Sequence, residues 1–382
     1  MIETLILILT IGYITWLVLE YKSNIEARKK IPYVIHVNGT RGKSSVCRLI
    51  DAGLRAGGYS VFTKTTGTSP RIIHVNGEET EIIRKGRANI KEQIKILKLA
   101  RREQAQVMVI ECMAVNPDLQ YIAQNRILKA NIGVITNVRR DHLEEMGPRL
   151  EDVAESLGLI IPKGGIFITG DEKFYPYYSQ IGREKNTIAI LSENNQESYE
   201  IDFCENVSVA LEVCKALKVD REIALEGMKN YKKDPGTLKV YEILTKTNNK
   251  VYFVNAFAVN DPDSIVKVYD LIKEMKCFYH QKMIILLNNR IDRAYRMKQH
   301  VDCMSRIFPD EIWITGSLMK LMKRKLIYKD FHDANIKIFS KLENLNFEGI
   351  EEDTIIFAIG NIGGRGELIV KHVEGIGESF AG

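Results

Sequence analysis

The sequence predicts an α/β protein of two lobes built on parallel sheets, and three observations carry the prediction. From residue 33 onward, short apolar runs rich in β-branched residues alternate with amphipathic helical stretches, the pattern of strands joined by helical crossovers. The first of those runs enters a glycine loop, Gly39-Thr40-Arg41-Gly42, that leads straight into a helical pattern. A charged, turn-rich break, Lys232-Lys233-Asp234-Pro235-Gly236, divides the alternation into two blocks.

Taken in order, the chain starts with an apolar stretch from Ile2 to Leu19, interrupted only by Glu3 and a few small polar residues. Continued to Tyr21 as a helix it measures about 30 Å, the thickness of a hydrocarbon core. Tyr13, Trp16 and Tyr21 are interfacial anchors, and Lys22, Arg28, Lys29 and Lys30 follow. Positive charge on that side leaves the rest of the chain in the cytoplasm. A signal peptide places positive charge ahead of the apolar run and a small-residue cleavage site after it, and neither is present. The expectation is a single-pass cell-membrane anchor over 1–21 and a basic juxtamembrane linker over 22–30; a buried core helix is the alternative.

The first block then predicts strands over 33–37, 59–63, 107–110, 132–136, 165–169 and 187–191, with helices including 89–102, 150–160, 207–217 and 221–231. The second predicts strands over 250–254, 283–287, 311–314, 336–339 and 354–359, with helices over 263–275, 294–304 and 317–323. The domains expected are 31–235 and 236–382, with a loose tail of small residues at the end.

At 382 residues the chain can build two or three full cores. A net charge of +5 is mild and suits an anionic substrate or membrane surface; nucleic acid calls for a concentrated basic stripe. The six cysteines form no C-x-x-C pair, so they read as small buried hydrophobes in a reducing compartment rather than as a zinc site.

The chemistry starts at residues 33–45, YVIHVNGTRGKSS. Glycines at 39 and 42 let backbone N–H groups turn inward around phosphate oxygens, and the helix that follows adds the positive end of its dipole. Lys43 then reaches β/γ-phosphates and Ser44 a Mg2+ ion. The usual motif has another glycine where Val37 stands, so the loop is a compact variety. It binds a nucleoside triphosphate. Glu111 ends a buried strand pattern and points toward the crevice where open α/β sheets bind ligands; it suits Mg2+ or, alternatively, caps the next helix. Residues 132–142, IGVITNVRRDH, end a second strand in Asn137, Asp141 and His142, and His142 reads as a metal ligand or a structural histidine. KTTGTS at 64–69 can order a cation or an acceptor carboxylate, or be a plain turn. In the second block, VNAFAVNDPD at 254–263 and Asn289-Arg290-Ile291-Asp292-Arg293 follow strands. The latter suits a triphosphate and a ribose hydroxyl, or a surface salt-bridge cluster.

GTRGKSS, the strand ending in Glu111, TNVRRDH and the later N-D-P-D-S together resemble the Mur ligase superfamily, over nearly all of 31–382. That superfamily includes the peptidoglycan-precursor ligases and folylpolyglutamate synthase. With an apolar helix in place of a UDP-sugar-binding domain, the chain is most similar to the poly-γ-glutamate (capsule) synthase branch.

The resemblance implies a P-loop, Mur-ligase-like central domain and a smaller Rossmann-like C-terminal domain behind one transmembrane helix. It implies ATP at Gly39, Thr40, Arg41, Gly42, Lys43, Ser44, Ser45, Asn137, Asn289, Arg290, Asp292 and Arg293, with Asn137 near adenine. Metal falls to Ser44, Thr66, Glu111 and His142, catalysis to Lys43, Glu111 and His142, and substrate to Thr65, Thr66, Gly67, Thr68, Arg71 and Asn260. The implied reaction is ATP- and Mg2+-dependent amide ligation of glutamate onto a poly-γ-glutamate chain, through an acyl phosphate. Small membrane subunits are implied as partners, nucleic acid is not, and a homo-oligomer is compatible.

Two departures stand out. Many relatives carry a carbamylated lysine roughly where this chain has Ala154-Glu155-Ser156-Leu157, and their D-x-A-H-N-P is A-V-N-D-P here. The competing classes are a P-loop kinase of polymer export, which calls for a tyrosine-rich tail this chain lacks, and a nucleotide-binding scaffold.

Overall fold

A computed structural model describes residues 2–67, 70–84, 88–193, 201–233, 238–257, 259, 262–274, 281–291, 294 and 296–380. The chain divides into two units, Met1–Asp234 and Pro235–Gly382.

The first unit opens with helix α1 (Ile2–Lys29), strand β1 (Tyr33–Asn38) and helix α2 (Lys43–Ala56). β2 (Val61–Thr65), β3 (Arg71–Ile73), β4 (Glu79–Glu81), α3 (Glu92–Arg102) and β5 (Val107–Glu111) follow. Next come α4 (Pro117–Ile122), a π-helical turn (Ala123–Leu128), β6 (Ile132–Ile135), α5 (Leu143–Met146) and α6 (Leu150–Gly158). The unit closes with β7 (Ile166–Thr169), α7 (Tyr175–Glu184), β8 (Ile188–Leu191), α8 (Cys204–Ala216) and α9 (Arg221–Lys229).

Among the described residues its sheet has the order β4-β3-β2-β5-β1-β6-β7-β8. β2 through β8 pair in parallel, while β3 and β4 add an antiparallel edge hairpin. β1 sits between β5 and β6 and is buried after its first residue, which is why its sequence is continuously apolar rather than alternating. α2, α8 and α9 cover one face, with Leu49, Ile50, Val207 and Met228 fully buried. Each such side chain contributes about 1.5–3 kcal/mol of burial. α3 and the π-helical turn cover the other face through Ile96, Leu97, Ala100 and Leu128.

The second unit runs β9 (Lys239–Leu244), β10 (Lys250–Asn255), α10 (Pro262–Glu274), β11 (Lys282–Asn289), α11 (Arg296–Ile307) and β12 (Glu311–Gly316). α12 (Met319–Tyr328), β13 (Ile336–Ile338), β14 (Thr354–Gly360), α13 (Arg365–Ile376) and β15 (Glu378–Ser379) complete it. Its sheet order is β13-β12-β11-β14-β10-β9-β15 among the described residues, with β9 and β15 antiparallel.

Three expectations need correction. Both sheets are mixed rather than parallel, because each gains antiparallel edge strands. The segment read as a linker at 22–30 is the end of α1, and it is docked: Asn24 Nδ2 donates to the Ile127 carbonyl (3.0 Å), Arg28 Nε to that of Lys129 (3.0 Å), and Ala27 is buried. The tail is no loose segment up to residue 380, since α13 and β15 occupy it and β15 pairs with β9. Residues 2–19 of α1 are exposed, and the helix is long and apolar enough to cross a membrane.

Candidate active site

The glycine loop joins β1 to α2 at the carboxyl edge of the first sheet. Gly39 has φ +127° and Gly42 +77°, the left-handed side of the map that favours glycine. A Cβ on Gly39 would lie 2.1 Å from Thr136 Oγ1, and one on Gly42 2.4 Å from Asn206 Oδ1. The turn is therefore closed to other residues on two grounds.

The turn after β6 holds the loop in shape. Asn137 Oδ1 accepts from Thr40 Oγ1 (2.8 Å) and the Arg41 amide (3.1 Å), and its Nδ2 donates to the Arg41 carbonyl (3.1 Å). The Asn137 carbonyl accepts from the Thr40 amide (3.1 Å), and the Arg139 amide donates to Thr40 Oγ1 (2.9 Å). Asp141 pairs with Arg41 at 3.1 Å.

Lys43 curls back, its ammonium donating to the carbonyls of Gly39 (2.7 Å) and Thr40 (3.3 Å). Ser44 Oγ donates to Glu111 Oε2 (2.8 Å), which also accepts the Thr66 amide (2.6 Å). Glu111 is 3% exposed, so three separate chain segments meet at one buried carboxylate. A serine hydroxyl 2.8 Å from a carboxylate offers hard oxygen donors, the kind Mg2+ takes alongside phosphate oxygens and water; these residues fit the ion. The His142 ring lies 3.7 Å from Asp141, the partner of Arg41, and 4.0 Å from Glu145, on a residue with φ +50°. Among the described residues no cluster of three or more His, Cys, Asp or Glu side chains is poised for a metal.

A pocket of about 270 Å³ adjoins the loop, lined by Asn137, Val138, Arg139, Gly170, Asp171, Glu172 and Glu205. Asp171 fixes its wall by accepting from the amides of Val138 (2.8 Å) and Phe174 (3.0 Å).

Of the remaining expected residues, Thr65 is fully buried with its hydroxyl unpartnered among the described residues, Arg71 lies 3.7 Å from Glu79, and Gly67 follows Thr66 in the same turn. Asn289 ends β11, 4% exposed, with Nδ2 unpartnered among the described residues, and Arg290 follows it. Thr68, Asn260, Asp292 and Arg293 lie outside the described residues. In place of the relatives' lysine, Ser156 is buried and its Oγ accepts from Gln120 Nε2 (3.0 Å).

Sequence reading missed several charged groups around the site. Lys64, fully buried at the end of β2, pairs with Glu92 (3.0 Å), and burial holds its ammonium below the usual lysine pKa. Its position at the head of KTTGTS was the available signal. Arg48, buried on α2, pairs with Glu79, which also takes Lys232 (3.1 Å). Tyr231 donates to Asp202, and its phenol is pushed up first by burial and then by that carboxylate. No local spacing marks these partners.

Residues 37–232 match the Mur ligase middle domain family, and residues 240–376 the poly-gamma-glutamate synthase CapB C-terminal domain family. The chain is 33% identical to the PGA synthase CapB of Bacillus subtilis (strain 168), covering 93% of this chain and 92% of that protein. It is 32% identical to the capsule biosynthesis protein CapB of Bacillus anthracis, covering 98% and 84%. Among solved structures, E. coli FolC in complex with ADP superposes with a TM-score of 0.69 at 14% identity, over 93% of this chain and 92% of that one. The bifunctional folylpolyglutamate synthase/dihydrofolate synthase of Yersinia pestis, complexed with AMPPNP and Mn ion, has a TM-score of 0.69 at 13% identity, over 92% of each. At those identities the likeness to solved structures concerns the fold. The two domain families in succession, and the two CapB proteins alike over nearly the whole chain, place the loop and its buried carboxylate in context: this chain belongs to the Mur ligase superfamily, in its CapB poly-γ-glutamate synthase branch.

Proposed function

We propose that this chain, an ATP-dependent amide ligase of the poly-γ-glutamate synthase type, does its chemistry at the carboxyl edge of the first sheet. The observation that carries the reading is the meeting of Lys43, Ser44, Glu111 and Thr66 around one glycine loop. The loop amides, with Thr40, Arg41 and Ser45, hold the β/γ-phosphates, and Lys43 exchanges its carbonyl partners for phosphate oxygens. The pocket beside Asn137 takes the nucleoside, with Glu172 and Glu205 as acceptors for ribose hydroxyls. Ser44 and Glu111, with Thr66 and His142 nearby, would hold Mg2+, which would neutralise triphosphate charge. Residues 65–68 and Arg71 receive the acceptor's terminal carboxylate. In the second unit, Asn289, Arg290, Asp292 and Arg293 bind nucleotide and Asn260 binds glutamate.

An oxygen of the acceptor's γ-carboxylate attacks the γ-phosphorus, the bond to the β-phosphate oxygen breaks, and ADP leaves an acyl phosphate behind. The amine of an incoming glutamate attacks the acyl carbon, loses a proton, and expels inorganic phosphate. Such transfers need positioning and charge neutralisation more than covalent help from protein groups. The N-terminal helix anchors the enzyme in the cell membrane with both units on the cytoplasmic side, alongside small membrane subunits.

The test is incubation of the full chain with ATP, Mg2+ and L- or D-glutamate, with mass analysis for γ-linked oligomers and assay of ADP. Glutamate-dependent ADP with oligomers is expected. ADP release indifferent to glutamate would overturn the ligase reading.

A further inference from the structure

We propose that the carboxyl edge of the first sheet, with the glycine loop and Glu111, faces the membrane surface, so that ligation takes place beside the lipid headgroups. The proposal rests on the membrane reading above and on the direction in which α1 is docked.

Two sets of contacts fix that direction. At the far end of α1, Arg28 donates to the carbonyls of Ile31 (2.7 Å) and Lys129 (3.0 Å), residues that lead into β1 and β6. This is the amino edge of the sheet. Twelve residues earlier, Trp16 lies under the ammonium of Lys91 at 5.9 Å. Lys91 immediately precedes α3, and the next residue, Glu92, pairs with Lys64 at the carboxyl end of β2 (3.0 Å). This is the catalytic edge: Thr66, two residues past Lys64, donates to Glu111. Twelve residues of helix rise about 18 Å, and the six residues of β1 span roughly the same length. The docked end of α1 thus runs antiparallel to β1, and the exposed Ile2–Leu19, about 27 Å of helix, lead past the edge that carries the phosphate loop.

The occupant of that projecting segment is a bilayer. Apart from Glu3 and a few small polar residues, the segment is apolar on every side and exposed, from Ile2 at 77% to Ile14 at 54%. The boundary is marked by an aromatic ring under a lysine, Trp16 with Lys91 at 5.9 Å, the pairing found where apolar chain meets headgroups. Lys91 carries a face of α3 away from that boundary: Lys95, Lys98 and Arg102 follow at helical spacing, opposite the buried Gln93, Ile96, Leu97 and Ala100. Arg102 stands about 16 Å further along the helix than Lys91, beyond a Debye length at physiological salt. Lys91 is near anionic lipid and Arg102 is not.

The full chain carrying Cys277→Ser, whose other five cysteines are buried, is labelled with a donor dye at Arg140→Cys or at Lys163→Cys. Arg140 is exposed past the carboxyl end of β6, and Lys163 is exposed ahead of β7. Energy transfer is read to an acceptor on the headgroups of phosphatidylglycerol-containing vesicles. Stronger transfer from 140 than from 163 is expected, since the edges stand roughly 20 Å apart. Equal transfer, or more from 163, overturns the orientation while leaving the membrane reading intact. No vesicle binding, or self-association through α1 in its place, overturns the membrane reading and the proposal with it; ligase activity assayed separately in detergent is untouched by either result. Lys91→Gln should weaken partition into anionic vesicles about fivefold and leave neutral vesicles unchanged, while Arg102→Gln changes neither. An equal loss from both variants contradicts the assigned boundary.

Discussion

The two sheets end at their carboxyl edges in different states. At the first edge most polar groups answer one another, the Thr65 hydroxyl excepted among the described residues: Asn137 uses both ends of its amide on the loop, Lys43 caps two carbonyls, and Glu111 takes two donors. At the second edge Asn288 Oδ1 and Asn289 Nδ2 are buried without partners among the described residues, as are both ring nitrogens of His300 on α11. A buried unpaired polar atom costs about 1–3 kcal/mol. The first edge is thus organised ahead of ligand binding, and the second carries a cost that a bound group or an additional partner relieves. The difference teaches that the glycine loop is braced by side chains of its own sheet, while the second unit keeps buried polar atoms unmatched among the described residues.

Removing the ammonium proposed to exchange carbonyls for phosphate should give the largest effect. Lys43→Ala is expected to lower glutamate-dependent ADP release about 10³-fold with thermal unfolding essentially unchanged, as checked by a coupled assay and melting curves. Acid should act on both units. Burial pushes the pKa of His36 down to about 4, opposed by the hydrogen bond its Nδ1 makes to Gln124 Oε1 and assisted by the Lys64 charge. Burial and the Arg296 charge take His300 down to about 4 as well. Both folded values lie below the unfolded value near 6.5, so the unfolded chain binds more protons between those limits and stability falls as pH drops through that window. The expected loss is about 3 kcal/mol per histidine by pH 4. Urea unfolding of His300→Leu should recover that share for the second unit alone, and an unchanged acid profile would remove the histidine from the account.

Next in size, Glu111→Gln keeps an acceptor for Ser44 but loses the charge, and a rate about 10²-fold lower is expected with the fold retained. The smallest effects separate the two edges most cleanly. Asn137→Ala removes the side-chain acceptor of the Arg41 amide and the Thr40 hydroxyl and one of the two donors to the Arg41 carbonyl, and should cost about 1–3 kcal/mol of stability. Asn289→Ala removes an amide nitrogen that has no partner and should cost under about 1 kcal/mol. Equal costs would erase the contrast.

Much of this was legible in the sequence because it is local. The run from Tyr33 into GTRGKSS states strand, turn and helix within a few residues, and Glu111 closes an uninterrupted apolar strand. The antiparallel additions were harder. Asn76-Gly77 is a hairpin signal, yet its flanking strands are three residues each and mostly exposed or half-buried. β9 follows the charged break, and α13 hides in a glycine-rich tail although Ile369 and Val373 pack into the core. The partners of Arg48, Lys64 and Tyr231 lie far away in sequence, at Glu79, Glu92 and Asp202, so only the folded chain reveals them. Asn137 was assigned to the base from the resemblance; its amide is occupied by the loop, and it also lines the adjoining pocket.

The account turns on an acceptor carboxylate attacking the triphosphate held at the first edge. The most direct measurement supplies the ligase with ATP and an acceptor whose terminal γ-carboxylate is labelled with oxygen-18, and weighs the inorganic phosphate released. One labelled oxygen per phosphate is predicted, because the acyl phosphate hands its bridging oxygen to the departing phosphate. Amide product accompanied by unlabelled phosphate would contradict it.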